Sequence, residues 1–250
     1  MTLIYGHRGA RGERPENTIE GFLHAKSIGV DGIETDIALT ADLIPVLHHD
    51  PGLPDGRLIR NLNFAGLQGI PSLADALLAV DTDWLLEIKT YPPAPEKSHP
   101  PALVVEKVLE CIARAKIPVE RICILAFDWA VLREVAARAP KIRRVCLTEP
   151  DTEAARDLWW GRGLQNATTP QAVAQTGAHA WSAFHEPLTE PQIAEAHALG
   201  LKIFTWTVND QPEFNRLAGL VDLVITDIPS RFIPPPRQTP RNSPAAKSGQ

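Results

Sequence analysis

The sequence predicts an α/β fold: a TIM (β/α)8 barrel in a single domain, with a short insertion and a disordered C-terminal tail. Two observations lead there. Short apolar runs alternate with helix-like segments about eight times along the chain, the pattern of strand–helix units in a parallel sheet. The length, 250 residues, is that of one closed barrel of about 250 residues. An open doubly wound sheet shares the alternation, but this many units in this length favour closure.

The elements follow in order. Leu3-Ile4-Tyr5 is the first strand. Residues 17–28 form a helix, with Asn17 or Thr18 as its N-cap and Gly29 as its stop. Residues 32–39 are a strand, and residues 44–48 a further extended run that pairs beside it. Residues 72–80 are a helix capped by Ser72, residues 84–88 a strand, and residues 101–116 a helix with proline in its first turn. The remaining strands are residues 122–127, 142–147, 178–183, 202–208 and 221–225. Helices separate them at residues 130–138, 151–160, 169–175, 189–199 and 212–218. From Pro234 the chain is proline-rich and polar and buries no apolar surface, so a barrel over residues 1–233 precedes a disordered tail over residues 234–250.

Composition narrows the function classes. Apolar residues make up 44% and charged residues 22%, ordinary values for a globular chain with a closed core. The net charge of -5 argues against a nucleic-acid partner, which needs a basic surface. A small anionic substrate needs only a local cluster of cations. Cys111, Cys123 and Cys146 are an odd set among apolar neighbours and read as buried free thiols in a reducing compartment. No signal peptide and no apolar run of about 20 residues is visible, so a cytoplasmic protein without stable membrane insertion is expected. Trp159-Trp160 reads as core packing for at least one ring, with an interface or membrane contact as the alternative. Oligomeric state is not legible.

Polar residues interrupt the apolar runs where strands end, the place from which barrel enzymes draw their catalytic side chains. His7-Arg8-Gly9 follows the first strand: an imidazole that moves protons near neutral pH beside a guanidinium suited to bidentate phosphate binding. Glu34 and Asp36 are two apart on a strand and share a face. Among Ile33, Ile37 and Leu39 that face is the barrel interior, where two like charges call for a divalent cation. In His48-His49-Asp50 the two imidazoles face opposite ways, so one of them serves the site, and Asp50 can orient it. In Glu87-Ile88-Lys89 a third carboxylate and a second cation again share a face. Three carboxylates and water make a hard oxygen site for Mg²⁺ or Ca²⁺. Two histidines can serve as an acid–base pair, while cation, arginine and lysine neutralise charge on phosphoryl oxygens.

This ordered set resembles the glycerophosphodiester phosphodiesterase family. The matching stretches are His7-Arg8-Gly9, Arg14-Pro15-Glu16-Asn17-Thr18, Asp31-Gly32-Ile33-Glu34-Thr35-Asp36, Pro45-Val46-Leu47-His48-His49-Asp50 and Ile70-Pro71-Ser72-Leu73. Glu87-Ile88-Lys89, Thr205-Trp206-Thr207-Val208-Asn209 and Thr226-Asp227-Ile228-Pro229 complete it, over roughly residues 3–232. Each stretch is unspecific alone; the order is not.

The resemblance implies hydrolysis of glycerophosphodiesters to sn-glycerol 3-phosphate and an alcohol, with one divalent cation (Mg²⁺ or Ca²⁺, with Mn²⁺ as a further choice). It implies His7 and His49 as the acid–base pair, His49 being the histidine that matches the family's His-Asp dipeptide. It implies Glu34, Asp36 and Glu87 as metal ligands, Arg8 and Lys89 as phosphate contacts, and Trp206 as a wall for the glycerol. Glu16 and Asp50 order the groups around them. One departure stands out: many members follow the His-Asp with an arginine-threonine-threonine stretch and a longer covering insertion, whereas residues 51–69 here are short and lack it. Two rival readings use the same barrel: a lysophospholipase D-type phosphodiesterase, and a catalytically silent phosphoester-binding protein.

Overall fold

The structure, a computed structural model, describes residues 1–234. Most of the tail expected from residue 234 therefore lies outside the described residues. Eight strands run parallel: β1 (Leu3–Gly6), β2 (Gly32–Leu39), β4 (Asp83–Ile88), β5 (Ile122–Ala126), β6 (Arg143–Thr148), β7 (Ala180–Phe184), β8 (Lys202–Trp206) and β9 (Leu223–Thr226). Each pairs with the next, and β1 pairs with both β9 and β2, which closes the barrel. The extended run near residue 45 is β3 (Pro45–Leu47), and it is not a stave. It pairs antiparallel with the end of β2, from Ile37–Leu47 to Leu39–Pro45, beyond the reach of β1.

Alternation along each strand sorts side chains into two cores. Tyr5, Leu85, Leu125, Val145, Leu147, Phe204 and Ile225 pack with one another inside the barrel. Their neighbours in sequence, such as Ile33, Ile37, Trp84, Leu86, Ile124 and Val224, belong to the larger core between strands and helices. Burial on both faces is why the strands read as continuous apolar runs instead of alternating ones. On β2 the inward positions are Glu34 and Asp36, and on β4 Glu87 follows Leu85 on the inner face. The hydrophobic interior thus ends, on these two strands, in carboxylates.

The helices form the outer layer: α1 (Ile19–Ile28), α2 (Leu73–Ala79), α3 (Pro101–Ala115), α4 (Trp129–Arg138), α5 (Pro150–Ala154), α6 (Arg156–Trp159), α7 (Thr169–Gln175), α8 (Glu190–Ala198) and α9 (Gln211–Leu217). Of the two cap candidates for α1, Thr18 is the cap, accepting from the Gly21 N–H at 3.0 Å. Gly29 ends the helix at φ 98°, a left-handed conformation that costs glycine little. The single helix expected over residues 151–160 divides at Ala155, whose ψ of 41° leaves the helical range. Trp160 is buried and stacks on Trp129, centroids 4.4 Å apart, whereas Trp159 is half-buried and lines the cavity at the barrel mouth. The strand expected to reach residue 208 stops at Trp206. Val208 N–H donates to Ile225 O and the Asn209 side chain holds Asp227, so the chain bends over β9.

Residues 51–69 fold as a small cap beside β3, where Val46, Ile59 and Leu67 make a third apolar cluster. Arg60 ties it to the loop after β4 by donating to Pro95 O and Ser98 O. The cysteines are free; Cys123 and Cys146 are buried as expected, but Cys111, on α3 at the margin of the main core, is only half-buried. No helix among the described residues is long and apolar enough to cross a membrane.

The Trp129–Trp160 stack closes the outer layer under α4, and the Trp129 indole N–H reaches Leu147 O at 3.3 Å. Trp129→Ala should lower unfolding free energy by about 3–5 kcal/mol, read as a lower urea midpoint by circular dichroism. A loss below about 1 kcal/mol would remove the stack from the core.

Candidate active site

The site begins with strand register. Asp36 on β2 sits directly beside Glu87 on β4, and Glu34 lies two residues before Asp36 on the same face. One carboxylate oxygen from each of Glu34, Asp36 and Glu87 falls within 4.8 Å of the others. All three residues are buried. Lys89 Nζ lies 2.5 Å from Glu87 Oε1 and 3.0 Å from Asp36 Oδ1. Arg8 donates its backbone N–H to Glu34 Oε2 at 2.9 Å, and its Nε lies 3.1 Å from Asp36 Oδ2. Asn17, freed from capping, donates to Asp36 Oδ2 at 3.0 Å and accepts from Thr35.

Two cationic side chains thus face three carboxylates. Burial pushes Asp36 up, but Lys89 and Arg8 outweigh it and hold this carboxyl below the usual range. Glu34 is compensated less: burial, then Asp36 and Glu87, push it well above its ordinary value, and Arg8 opposes them only in part. Glu87 is pushed up to about 7 by burial, with Lys89 opposing and Asp36 adding to the shift. Glu34 Oε1 is buried with no hydrogen-bond partner, and Asp36 Oδ1 has the Lys89 ammonium nearby without an aligned hydrogen bond. Unsatisfied buried carboxylate oxygens aimed at one point, with surplus negative charge, fit a hard divalent cation.

Two imidazoles border this cluster. His7 Nδ1 donates to Asp227 Oδ1 at 2.6 Å, which leaves Nε2 as the acceptor, 3.8 Å from Glu34 Oε2. Burial lowers the His7 pKa, and the Asp227 hydrogen bond opposes that only in part. His49 Nδ1 donates to Asp50 Oδ1 at 2.7 Å. Burial and then Lys89 lower its pKa as well. Both shifts favour the neutral ring, in which Nε2 is free to take up a proton from the cavity. His48 instead directs Nδ1 to Asp50 O at 2.9 Å and does not line the cavity.

The cavity at the mouth has a volume of about 450 Å³. Its charged side carries His7, Arg8, Glu34, His49, Glu87 and Lys89; Trp206, Phe127 and Trp159 wall the other side. Asp36 lies beneath, in contact with Arg8 and Lys89. Glu16 stands at the rim and accepts from Arg8 Nη1 at 3.1 and 3.2 Å. The structure thus brings together the residues singled out in the sequence. It adds Asp227 and Asn209, which fix His7, and Tyr91, whose hydroxyl donates to His49 O at 3.1 Å. Asp227 was signalled by its place directly after β9, and Asn17 was legible only as a helix cap. Tyr91 carries no sequence signal at all.

A closed (β/α)8 barrel with a buried carboxylate triad, two cations and two imidazoles at the C-terminal ends of its strands is an enzyme architecture. The sequence profile of the Glycerophosphoryl diester phosphodiesterase family matches residues 7–231. The chain belongs to that family, and is an enzyme of the phosphoric diester hydrolase class. It is 28% identical over 266 residues to the glycerophosphodiester phosphodiesterase of Caldanaerobacter subterraneus subsp. tengcongensis, covering 93% of this chain and 96% of that one. Among solved structures it is similar to a protein of Silicibacter pomeroyi DSS-3 assigned to the glycerophosphoryl diester phosphodiesterases. There the TM-score is 0.80 at 30% identity, over 92% of this chain and 91% of the other. A phosphodiesterase of Oleispira antarctica, solved in complex with the product sn-glycerol-3-phosphate, shares the fold with a TM-score of 0.77 at 21% identity, over 92% and 95% of the two chains.

Because Glu34 and Glu87 hold protons more tightly than ordinary carboxylates, cation binding should displace protons. Below about pH 7 Glu87 is protonated and competes with the cation; above it the competition fades. Titrating chelator-treated protein with Mg²⁺ in two buffers of different ionisation enthalpy should therefore show proton release at pH 7. Apparent affinity should rise with pH until Glu87 is ionised. A buffer-independent heat would remove the raised carboxylates from the binding site.

Proposed function

We propose that this enzyme hydrolyses glycerophosphodiesters to sn-glycerol 3-phosphate and an alcohol, with a divalent cation at Glu34, Asp36 and Glu87 and two histidines as acid and base. The observation that carries this reading is the convergence of those three carboxylates within 4.8 Å, beside the imidazoles of one cavity. The Oleispira antarctica phosphodiesterase, whose product is sn-glycerol-3-phosphate, supports the substrate class. When bound, the cation supplies Lewis acidity that neutralises charge on the phosphate and favours an ionised nucleophile.

The residues divide the remaining work. Arg8 and Lys89 bind the non-bridging oxygens, in addition to holding Asp36. Glu16 keeps the Arg8 guanidinium in its plane. Trp206 forms an apolar wall for the glycerol carbons. His7 and His49 present their Nε2 atoms to the cavity, each oriented by a carboxylate on Nδ1: Asp227 for His7 and Asp50 for His49. One imidazole takes the proton of the attacking oxygen, and the other, protonated, gives its proton to the alcohol oxygen as the P–O bond breaks. Water consumed, monoester and alcohol released balance the reaction, and phosphorus-31 NMR separates direct attack by water from attack by the glycerol 2-hydroxyl through a cyclic phosphate.

His7→Ala and His49→Ala should each lower turnover of a glycerophosphodiester by roughly 10²–10⁴-fold, with the fold intact by circular dichroism. Chelation should abolish turnover, and Mg²⁺, Ca²⁺ or Mn²⁺ should restore it. Near-wild-type turnover in either variant would end the two-histidine assignment. Faster turnover of the acylated analogue than of glycerophosphocholine would favour the lysophospholipase D reading. Absence of product with every cation would favour a binding protein.

A further inference from the structure

The cavity has two unlike ends. Around the closed ring β6 stands across from β1 and β8 across from β4. The residue after β6 is Glu149, so a carboxylate borders the cavity opposite His7 and Arg8. Beside it, Phe127, Trp159 and Trp206 form a continuous aromatic wall. The Phe127 ring meets Trp159 at 6.5 Å and 71°, and Trp206 at 5.5 Å and 81°.

Glu149 is half-buried and has no cationic partner within ion-pair distance among the described residues. Burial, with Asp151 adding, raises its pKa, and Lys89 offsets that only in part. It occupies the N-cap position of α5 and shares a capping box with Thr152, which supplies a backbone N–H but no opposite charge. Its own backbone N–H is taken by Thr152 Oγ1 at 3.1 Å. A half-buried carboxylate without a counter-charge costs stability, and a bound cation removes that cost. Lys89 offsets this charge only in part, because Asp36 and Glu87 already hold its ammonium, which lies over the Phe127 ring 5.9 Å from the centroid.

Aromatic faces beside a carboxylate recognise methylated ammonium groups, whose spread charge and low hydration suit ring quadrupoles. A primary ammonium needs more hydrogen-bond acceptors than one carboxylate offers. A polyol finds few polar partners on this wall, and an anionic alcohol is repelled by Glu149. We propose that this end of the cavity receives the alcohol half of the diester, and that the alcohol it selects is a quaternary ammonium alcohol of the choline type, with its charge toward Glu149 and its methyl groups against Phe127 and Trp159. The phosphate then lies between Lys89 and the ammonium. This inference rests on the phosphodiesterase reading of the cavity.

The test uses the full chain with Mg²⁺ and four substrates: glycerophosphocholine, glycerophosphoethanolamine, glycerophosphoglycerol and glycerophosphoinositol. The choline diester should exceed the glycerol and inositol diesters in kcat/KM by roughly tenfold. Glu149→Gln should raise KM for the choline diester by roughly tenfold and bring the choline-to-glycerol ratio of kcat/KM near one, and Trp159→Leu should move the ratio in the same direction. A second readout needs no turnover: choline chloride should quench tryptophan fluorescence saturably in the wild-type protein, and roughly tenfold more weakly in Glu149→Gln. Equal kcat/KM for all four head groups, an equal loss for all in Glu149→Gln, or choline binding no tighter than free glycerol would each overturn the proposal. Saturable choline binding without hydrolysis of any diester would instead leave this site standing and sink the phosphodiesterase reading.

Discussion

Surplus negative charge at the barrel mouth is the constraint on which the other features turn. Among the described residues, the three buried carboxylates meet two permanent cations, Arg8 and Lys89. A one-residue slip of β2 would turn Glu34 and Asp36 toward the helices and bring Ile33, Thr35 and Ile37 inside. The register is therefore specified twice, by the apolar outer face and by the cations that await the carboxylates within. Arg8 shows what the arrangement demands of the backbone. It adopts φ 50°, a left-handed conformation costing a non-glycine residue about 1–2 kcal/mol. In return its N–H donates to Glu34, its Nη1 donates to Glu16, and its Nε lies 3.1 Å from Asp36 as an ion pair.

The same imbalance links folding to pH and to cation. Glu87 has a folded pKa of about 7, above its ordinary value of 4.5. Between those values the folded, cation-free protein binds more protons at this group than the unfolded chain, so the group's contribution to stability falls as pH rises through that window. Asp36 and Asp227 have depressed folded values. Their contributions are present above the unfolded aspartate range and are lost as pH falls through the lower folded ones. A cation on the triad would reverse the first trend and reinforce the second at Asp36, because it favours the ionised form of both carboxylates.

Much of this was legible in the sequence because strand periodicity is a strong local signal. Glu34 and Asp36 two apart among isoleucines, and Glu87 two before Lys89, fixed which faces carry charge before any tertiary information. The resemblance to a family supplied the roles. Less legible were the groups whose partners are remote in sequence. Asn17 looks like a cap because capping is local, yet its side chain bonds Asp36, 19 residues on. Asp227 orients His7 across 220 residues, and Tyr91 reaches the His49 carbonyl across 42. Only barrel closure and loop packing create these contacts. Element ends went astray for the same reason: β8 stops at Trp206 because Asn209 is drawn to Asp227, which no window around residue 206 contains.

Strands and loops contribute to this cavity in different ways. Glu34, Asp36 and Glu87 lie within strands, with His7 and Lys89 one residue beyond, so hydrogen-bonded ladders on both sides hold them. Such positions keep the sub-ångström geometry that phosphoryl transfer needs. Trp159 and Glu149 stand instead on the connection after β6, where the chain breaks into two short helices at Ala155. Residues there can change without disturbing the ladders. The cap of residues 51–69 is short and tied through Arg60 to the loop after β4. In the proposed reading this division makes the reacting end fixed and the alcohol-facing end changeable. On that reading, head-group choice falls to the loops after β5 and β6, and the chemistry to β1, β2, β4 and the loop after β3 that carries His49.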